Sequence, residues 1–446
     1  MNILYLCPDL GIPVLGRKGA SVHVRELIGA FARAGHRVTL AAQTLTKSPM
    51  DEPAKVKARV IHVPPDAAAS SVIRDLREFN EHLGQENSLP GELRRILYNE
   101  ALYRDLKRRF LKHKPHFIYE RASLYATAGV KLAEKFRVPH IVELNAPLAV
   151  EQAAYRATGF GELAAQAERW TLTHADAVIV VSSELKKHAM SLGVTPGRIH
   201  VMPNGVNTEL FCPRVGDRGL QSASPTAAGR RWKHQRLPRA VSRSGLKPAV
   251  LSAENGPILG FVGGLRPWHG VEVLPELLAR LSKRHPGIRL VIAGDGQLRG
   301  DLERGFKRHG LTKRVTFTGA LLHEEVPEVI RQFDIALAPY PEHDHDFYFS
   351  PLKLFEYMAC GVPVVAADMG QISEVMRDGK TGLLYPPGNF NALVSRCEKL
   401  LANPALRLAL GGAAAKVVRA KFTWDINAAK TAKLVQRLKG RRRWQS

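Results

Sequence analysis

The residues best spaced for chemistry are Ser350, Lys353 and Glu356, in Ser350-Pro351-Leu352-Lys353-Leu354-Phe355-Glu356. Three apart, they share one helical face close to its N-terminus. A lysine and free backbone donors there suit a diphosphate. A carboxylate further along accepts two hydrogen bonds, as the hydroxyls of a ribose require. Ser-Pro suits a helix start, Gly361 a helix stop, and the run 362–366 the next strand. On spacing alone, an exposed helix face with a Lys–Glu pair also accounts for these positions.

Three glycine-rich turns add to this. The first carries Gly11, Gly16 and Gly19 and lies between a predicted strand and a helix starting near Val22. Glycine lets a backbone come close to a phosphate, and a helix N-terminus offers free N–H groups. The turn matches neither the dinucleotide fingerprint nor the P-loop, so a tight connection is the alternative. The second, Gly263-Gly264-Leu265-Arg266-Pro267-Trp268-His269-Gly270, holds two candidate phosphate partners, Arg266 and His269. The third holds Gly294 and Gly296. Strand ends of one sheet line one edge, so the second and third turns belong to a common site.

Positioning these groups takes strands and helices in alternation. Short apolar runs fall at 3–6, 37–41, 60–63, 117–119, 140–144, 177–181 and 199–202, with amphipathic stretches at 22–34 and 124–135. The pattern resumes at 258–262, 290–293, 315–318, 335–338, 362–366 and 383–385. Continuous apolar strands alternating with helices predict parallel sheets buried on both faces. The fold class is α/β, with two doubly wound, Rossmann-like domains facing across a cleft. The 446 residues suffice for two such cores. The predicted boundaries are 1–207, 255–421 and a C-terminal helix with a basic tail over 422–446 that packs back on the first domain. Between the domains, 214–254 reads as a basic, disordered insertion.

The 347–365 segment, with Gly370-Gln371-Ile372-Ser373-Glu374 and Asp378-Gly379-Lys380-Thr381-Gly382, resembles the C-terminal domain of glycosyltransferase family 4. The N-terminal glycine turn, Gly35-His36-Arg37-Val38, Asn145-Ala146-Pro147 and Pro203-Asn204-Gly205 resemble its acceptor-side domain. The resemblance implies a GT-B fold and retaining, metal-independent transfer of a hexosyl-type sugar from a nucleotide-diphosphate donor. It makes Glu356 the ribose ligand. It places Gly19, Gly264, Gly294, Ser350 and Leu352 around the donor, and leaves Glu374 structural. The family's first glutamate falls at Tyr348, and its usual phosphate-binding arginine and lysine fall at Gly264 and His269. Arg266, Lys353 and His269 are then the groups expected to stabilise the departing diphosphate. On the acceptor side, Glu143, Asn145 and His23 are candidates for substrate contact, with a satisfied structural hydrogen bond as the alternative.

No cofactor or metal is expected. The run Glu342-His343-Asp344-His345-Asp346 carries alternating metal-ligand types but precedes the phosphate-site helix, and reads as a polar loop. The four cysteines lack disulfide or zinc spacing. The N-terminal apolar run is too short for a signal peptide. The expected location is cytoplasmic, peripheral at the inner face of a membrane. The formal charge is +24, from 65 Lys+Arg and 41 Asp+Glu. Of that, 91–114 holds eight bases and three acids, 214–254 nine and two, and 430–446 seven and none. The excess thus lies mainly outside the cleft and suits an anionic membrane surface, with simple solubility and, for 91–114, a core-packed helix with a solvated basic face as the alternatives; no nucleic-acid motif accompanies it. The expected partners are a nucleotide-diphosphate sugar and a glycan or lipid-linked acceptor in surface polysaccharide or glycolipid synthesis. The alternatives are a nucleotide-sugar-binding protein with little transferase activity and a GT-B phosphorylase or synthase acting on sugar phosphates.

Overall fold

The computed structural model describes residues 1–48, 52–155, 158–213, 256–343 and 346–443. The expected insertion at 214–254, Asp344 and His345 of the acidic run, and 444–446 of the basic tail lie outside the described residues. Strands β1 (Asn2–Cys7), β2 (Arg37–Ala42), β3 (Arg59–His62), β4 (Phe117–Arg121), β5 (His140–Leu144), β6 (Ala177–Val180) and β7 (Ile199–Val201) form one sheet in the order β3-β2-β1-β4-β5-β6-β7. Strands β8 (Ile258–Val262), β9 (Arg289–Ala293), β10 (Val315–Gly319), β11 (Ile335–Ala338), β12 (Val364–Ala367) and β13 (Leu383–Tyr385) form a second, in the order β10-β9-β8-β11-β12-β13. Neighbours run parallel throughout, as in β1 with β4 and β8 with β11. Strands β4, β5, β6 and β8 are buried along their whole length, because helices cover both faces.

Each sheet reverses its strand order once, between β1 and β4 and between β8 and β11. The loops leaving those strands diverge there and open a crevice at the C-terminal edge. Both crevices thus follow from topology.

Two chain crossings join the domains and run side by side. The Val206 N–H donates to the Phe422 carbonyl at 3.0 Å, and a Cβ on Gly205 would lie 2.4 Å from the Trp424 nitrogen. The helix Trp424–Arg443 then packs on the helix Gly19–Arg33 of the first domain. There Arg33 pairs with Asp425 at 2.9 Å, and Trp424 lies edge-on to His23.

Local departures from the sequence reading have local causes. The helix expected over 124–135 starts at Ala128, because Tyr125 takes a left-handed φ of 64°. The helix carrying Lys353 begins at Leu352, so Ser350 lies outside it, held extended by Pro351. The basic stretch at 91–114 forms the helix Leu89–Phe110, and a further helix, Ala67–His82, packs against it.

Candidate functional site

The loops at the C-terminal edge of β8 and β9 interlock through their glycines. The Gly263 N–H donates to the Ala293 carbonyl at 2.9 Å and Leu265 N–H to Asp295 carbonyl at 3.0 Å. A Cβ on Gly294 would lie 2.0 Å from the Gly263 carbonyl oxygen, and one on Gly296 would lie 2.5 Å from that of Leu265. Gly294 was expected to let a nucleotide approach the sheet. Its bare Cα is instead covered by Gly263, and it serves the packing of the turn.

That packing presents Gly263 and Gly264 to the first turn of the helix Leu352–Ala359. Lys353 Nζ would lie 3.0 Å from a Cβ at Gly263. The lysine is buried, and its Nζ has no hydrogen-bond partner. Nζ sits 4.3 Å from the ring centre of Phe261 and 5.2 Å from that of Tyr340. Burial pushes its pKa down to about 7, against a smaller upward pull from Glu356. A cation at a helix N-terminus also opposes the helix dipole. No side chain caps that terminus. An anion here relieves every one of these costs at once: the bare ammonium, the free N–H groups and the dipole.

His269 does not supply a second cation. Its Nδ1 lies 2.5 Å from the Gly264 carbonyl, which can only accept, so Nδ1 carries the proton. Burial, and next the Lys353 charge, push its pKa down to about 3. His269 is therefore neutral at pH 7, with its proton on the nitrogen that faces Gly264, so it brings no positive charge to the expected phosphate contact. Arg266 stands exposed on the rim, bonded through Nη1 to Gln297 at 2.8 Å and 5.8 Å from the Trp268 ring centre. At Gly264 the nearest atom to a built Cβ is Arg266 Cγ, 3.7 Å away.

Glu356 lies one turn beyond Lys353. Its Oε1 accepts from His323 Nε2 at 3.0 Å. Ser350, expected at the diphosphate, is diverted. Its hydroxyl oxygen accepts the Asn204 N–H at 2.9 Å, and its carbonyl accepts Asn204 Nδ2–H at 2.6 Å. It ties the site helix to the inter-domain connection. Tyr348 likewise reaches the first domain: its hydroxyl donates to Glu151, and its carbonyl accepts from Ser182 Oγ at 2.9 Å.

Across the cleft, Gly19 opens its helix with an exposed backbone, and a Cβ there would lie 3.8 Å from Leu352. Leu352 packs against the first domain's core, so it bridges the two edges. His23 and Glu143 are 2% and 3% exposed and face each other, Nε2 to Oε1 at 2.6 Å. Burial alone would raise the Glu143 pKa. His23, Arg121 and Tyr119 together hold it below the ordinary carboxylate range. The two compensate each other's charge, while Glu143 Oε2 keeps no hydrogen-bond partner. Asn145, half-buried just past β5, keeps an Nδ2 without a hydrogen-bond partner.

Sequence reasoning missed the aromatic floor of Phe261 and Tyr340, and it missed His323 and Glu26. His323 Nδ1 lies 3.6 Å from Glu26 of the first domain. These contacts join residues distant in the chain, and no local pattern signals them. Among the described residues, no group of three His, Cys, Asp or Glu side chains is placed to hold a metal ion.

Comparison with known proteins follows the same division. Residues 17–210 match the family model described as Glycosyltransferase Family 4, and residues 256–403 the one described as Glycosyl transferases group 1. Alpha-D-kanosaminyltransferase of Streptomyces kanamyceticus is 32% identical over 170 residues, 38% of this chain and 43% of that protein. Glycogen synthase of Mycobacterium tuberculosis is 24% identical over 439 residues, 97% of this chain and 94% of that protein. Among solved structures, sucrose-phosphate synthase of Thermosynechococcus elongatus superimposes with a TM-score of 0.67 at 20% identity, covering 99% of each chain. Anabaena Alr3699/HepE, solved in complex with UDP, does so with a TM-score of 0.65 at 18% identity, covering 98% of this chain and 100% of that one.

Proposed function

Because the chain belongs to the family 4 glycosyltransferases and has their GT-B fold, we propose that it transfers a hexosyl-type sugar, with retention, from a nucleotide-diphosphate donor to a hydroxyl of a glycan or lipid-linked acceptor. The observation that carries this is the buried Lys353 ammonium, without a hydrogen-bond partner, at an uncapped helix N-terminus beside Gly263. Negative charge grows on the diphosphate as the glycosidic bond breaks. A fixed cation in a desolvated site stabilises that charge without reorganising. Arg266 adds a second, solvent-screened charge at the rim. Together they meet the diphosphate charge without a metal. Glu356 orients the nucleotide through its ribose, and neutral His269 braces the glycine turn. Asn145 is an acceptor-side group with a free amide donor.

The Alr3699/HepE structures with UDP and with UDP-glucose support trying uridine nucleotides first. Peripheral attachment to an anionic membrane remains part of the reading. Val72 and Phe79 on the helix Ala67–His82, and Leu83 just past its end, are exposed. Close by, burial and the charges of Arg77 and Arg95 lower the Arg94 pKa, so three guanidiniums crowd together. No helix among the described residues is long and apolar enough to cross a membrane.

A thermal-shift screen of UDP-, GDP- and ADP-sugars, followed by detection of released nucleotide, tests the reading. A ligand at a hundred times its Kd stabilises the fold by about 2.7 kcal/mol. One nucleotide series should raise Tm and be turned over. No shift with any of them, at concentrations up to 5 mM, would overturn it.

A further inference from the structure

Glu356 is not alone in its site. His323, in the loop after β10, sets Nε2 3.0 Å from Glu356 of the second domain and Nδ1 3.6 Å from Glu26 of the first. We propose that His323 is a positioning residue that couples occupancy of the nucleotide's ribose site to the approach of the two domains, one imidazole ring holding a carboxylate of each. The proposal rests on the assignment of Glu356 to the ribose.

The ring is enclosed. Its side chain is 12% exposed, and Phe211 of the inter-domain connection packs on it with ring centres 5.1 Å apart. The groups facing it are few. From the helix Gly19–Arg33 come Glu26 and the two arginines that act with it, Arg25 and Arg33. From its own loop comes Glu324. From the helix Leu352–Ala359 come Glu356 and, acting on that carboxylate, Lys353. From the connection, Asn207 hydrogen-bonds Glu26. Acids dominate. Burial pulls the His323 pKa down, but the Glu356 hydrogen bond and the charges of Glu356, Glu26 and Glu324 outweigh it and raise it above 6.5.

Two carboxylates can both be served only while both ring nitrogens carry protons. Burial raises the Glu26 pKa as well, so the bridge is complete where Glu26 is ionised and His323 protonated, and is lost as pH rises through the raised histidine value. Two carboxylates then share a single N–H, and one of them lets go. While the bridge holds, Glu356 keeps one oxygen on His323 and turns the other to the ligand. A ribose bound there and a closed cleft therefore favour each other, and coupling of this kind is reciprocal.

The test follows domain separation in the ligand-free full chain by small-angle scattering from pH 5.5 to 9.0, with and without saturating UDP. Wild type should expand with a midpoint above pH 6.5, and UDP should shift that midpoint. His323→Gln and Glu26→Gln should give curves flat with pH, and His323→Gln should bind UDP about tenfold more weakly at pH 6.5. A flat wild-type curve, an unmoved midpoint, or unchanged expansion in both variants would overturn the coupling. Glu356→Gln separates the two readings: undiminished UDP affinity in that variant overturns the ribose assignment, whatever the scattering shows.

Discussion

The two sheets end at equivalent crevices and treat charge in opposite ways. At the edge of the second sheet, Lys353 is buried without a hydrogen-bond partner, over two aromatic rings. At the edge of the first, His23 and Glu143 are just as buried but hold each other. Burying a charge is costly unless something compensates it. The first edge supplies its own charge compensation. The second lacks one and selects an anion. On the proposed function, a donor that carries a diphosphate would therefore bind the second domain. On the same reading, an acceptor that offers hydroxyls would lie against the first, where Asn145 Nδ2 and Glu143 Oε2 lack hydrogen-bond partners.

The sharpest way to break this comparison is Lys353→Met. Removing a preorganised charge stabiliser costs about a thousandfold in turnover. Yet the variant should be more heat-stable at pH 6.5. The folded pKa is about 7 against an ordinary 10.5, so the fold holds fewer protons than the unfolded chain between those values. Lys353 therefore lowers stability at and below pH 7, and the loss eases as pH rises to 10.5. Tm of wild type and variant, measured from pH 6.5 to 10, should converge; parallel curves would contradict the account.

The converse substitution, Glu143→Ala, leaves His23 buried alone. It should destabilise by about 3 kcal/mol, as for other broken buried pairs. UDP affinity in the surviving folded protein should stay at the wild-type value; a loss would place Glu143 in the donor site. Glu356→Gln should raise the donor KM by about tenfold, since one charge-assisted hydrogen bond contributes about 1.5–3 kcal/mol. Arg266→Ala, at the solvent-exposed rim, should cost no more than about fivefold in kcat/KM, as screened surface pairs contribute about 0–1 kcal/mol. Steady-state kinetics check both.

Much of the scaffold was legible because its signals are local. Strands such as Ile258–Val262 and His140–Leu144 are continuous apolar runs, and such runs report burial on both faces. The turn spacing of Lys353 and Glu356 was legible for the same reason. What each side chain is buried against was not. Ser350 looked like a phosphate ligand, but Asn204 claims its hydroxyl from across the hinge. His269 looked like a phosphate partner, but burial and the neighbouring Lys353 hold it neutral and its Nδ1 proton goes to the Gly264 carbonyl. The helix Ala67–His82 buries only Ile73 and Asn80, so it carries no core-facing apolar stripe to read. Tyr125, left-handed without being glycine, displaced a helix start that periodicity placed earlier.

The central claim is that Lys353, with a pKa brought down to about 7, is held for a diphosphate whose binding completes its charge. Calorimetric titration with UDP at pH 8.0, in two buffers of different ionisation enthalpy, tests it most directly. The free nucleotide is fully ionised there, because its last phosphate pKa is near 6. Lys353, with a pKa of about 7, is mostly neutral before binding and should be protonated after it. Wild type should take up close to one proton per nucleotide, and Lys353→Met should take up none and bind more weakly. Binding of UDP by wild type without proton uptake, or equal uptake by the variant, would contradict the account.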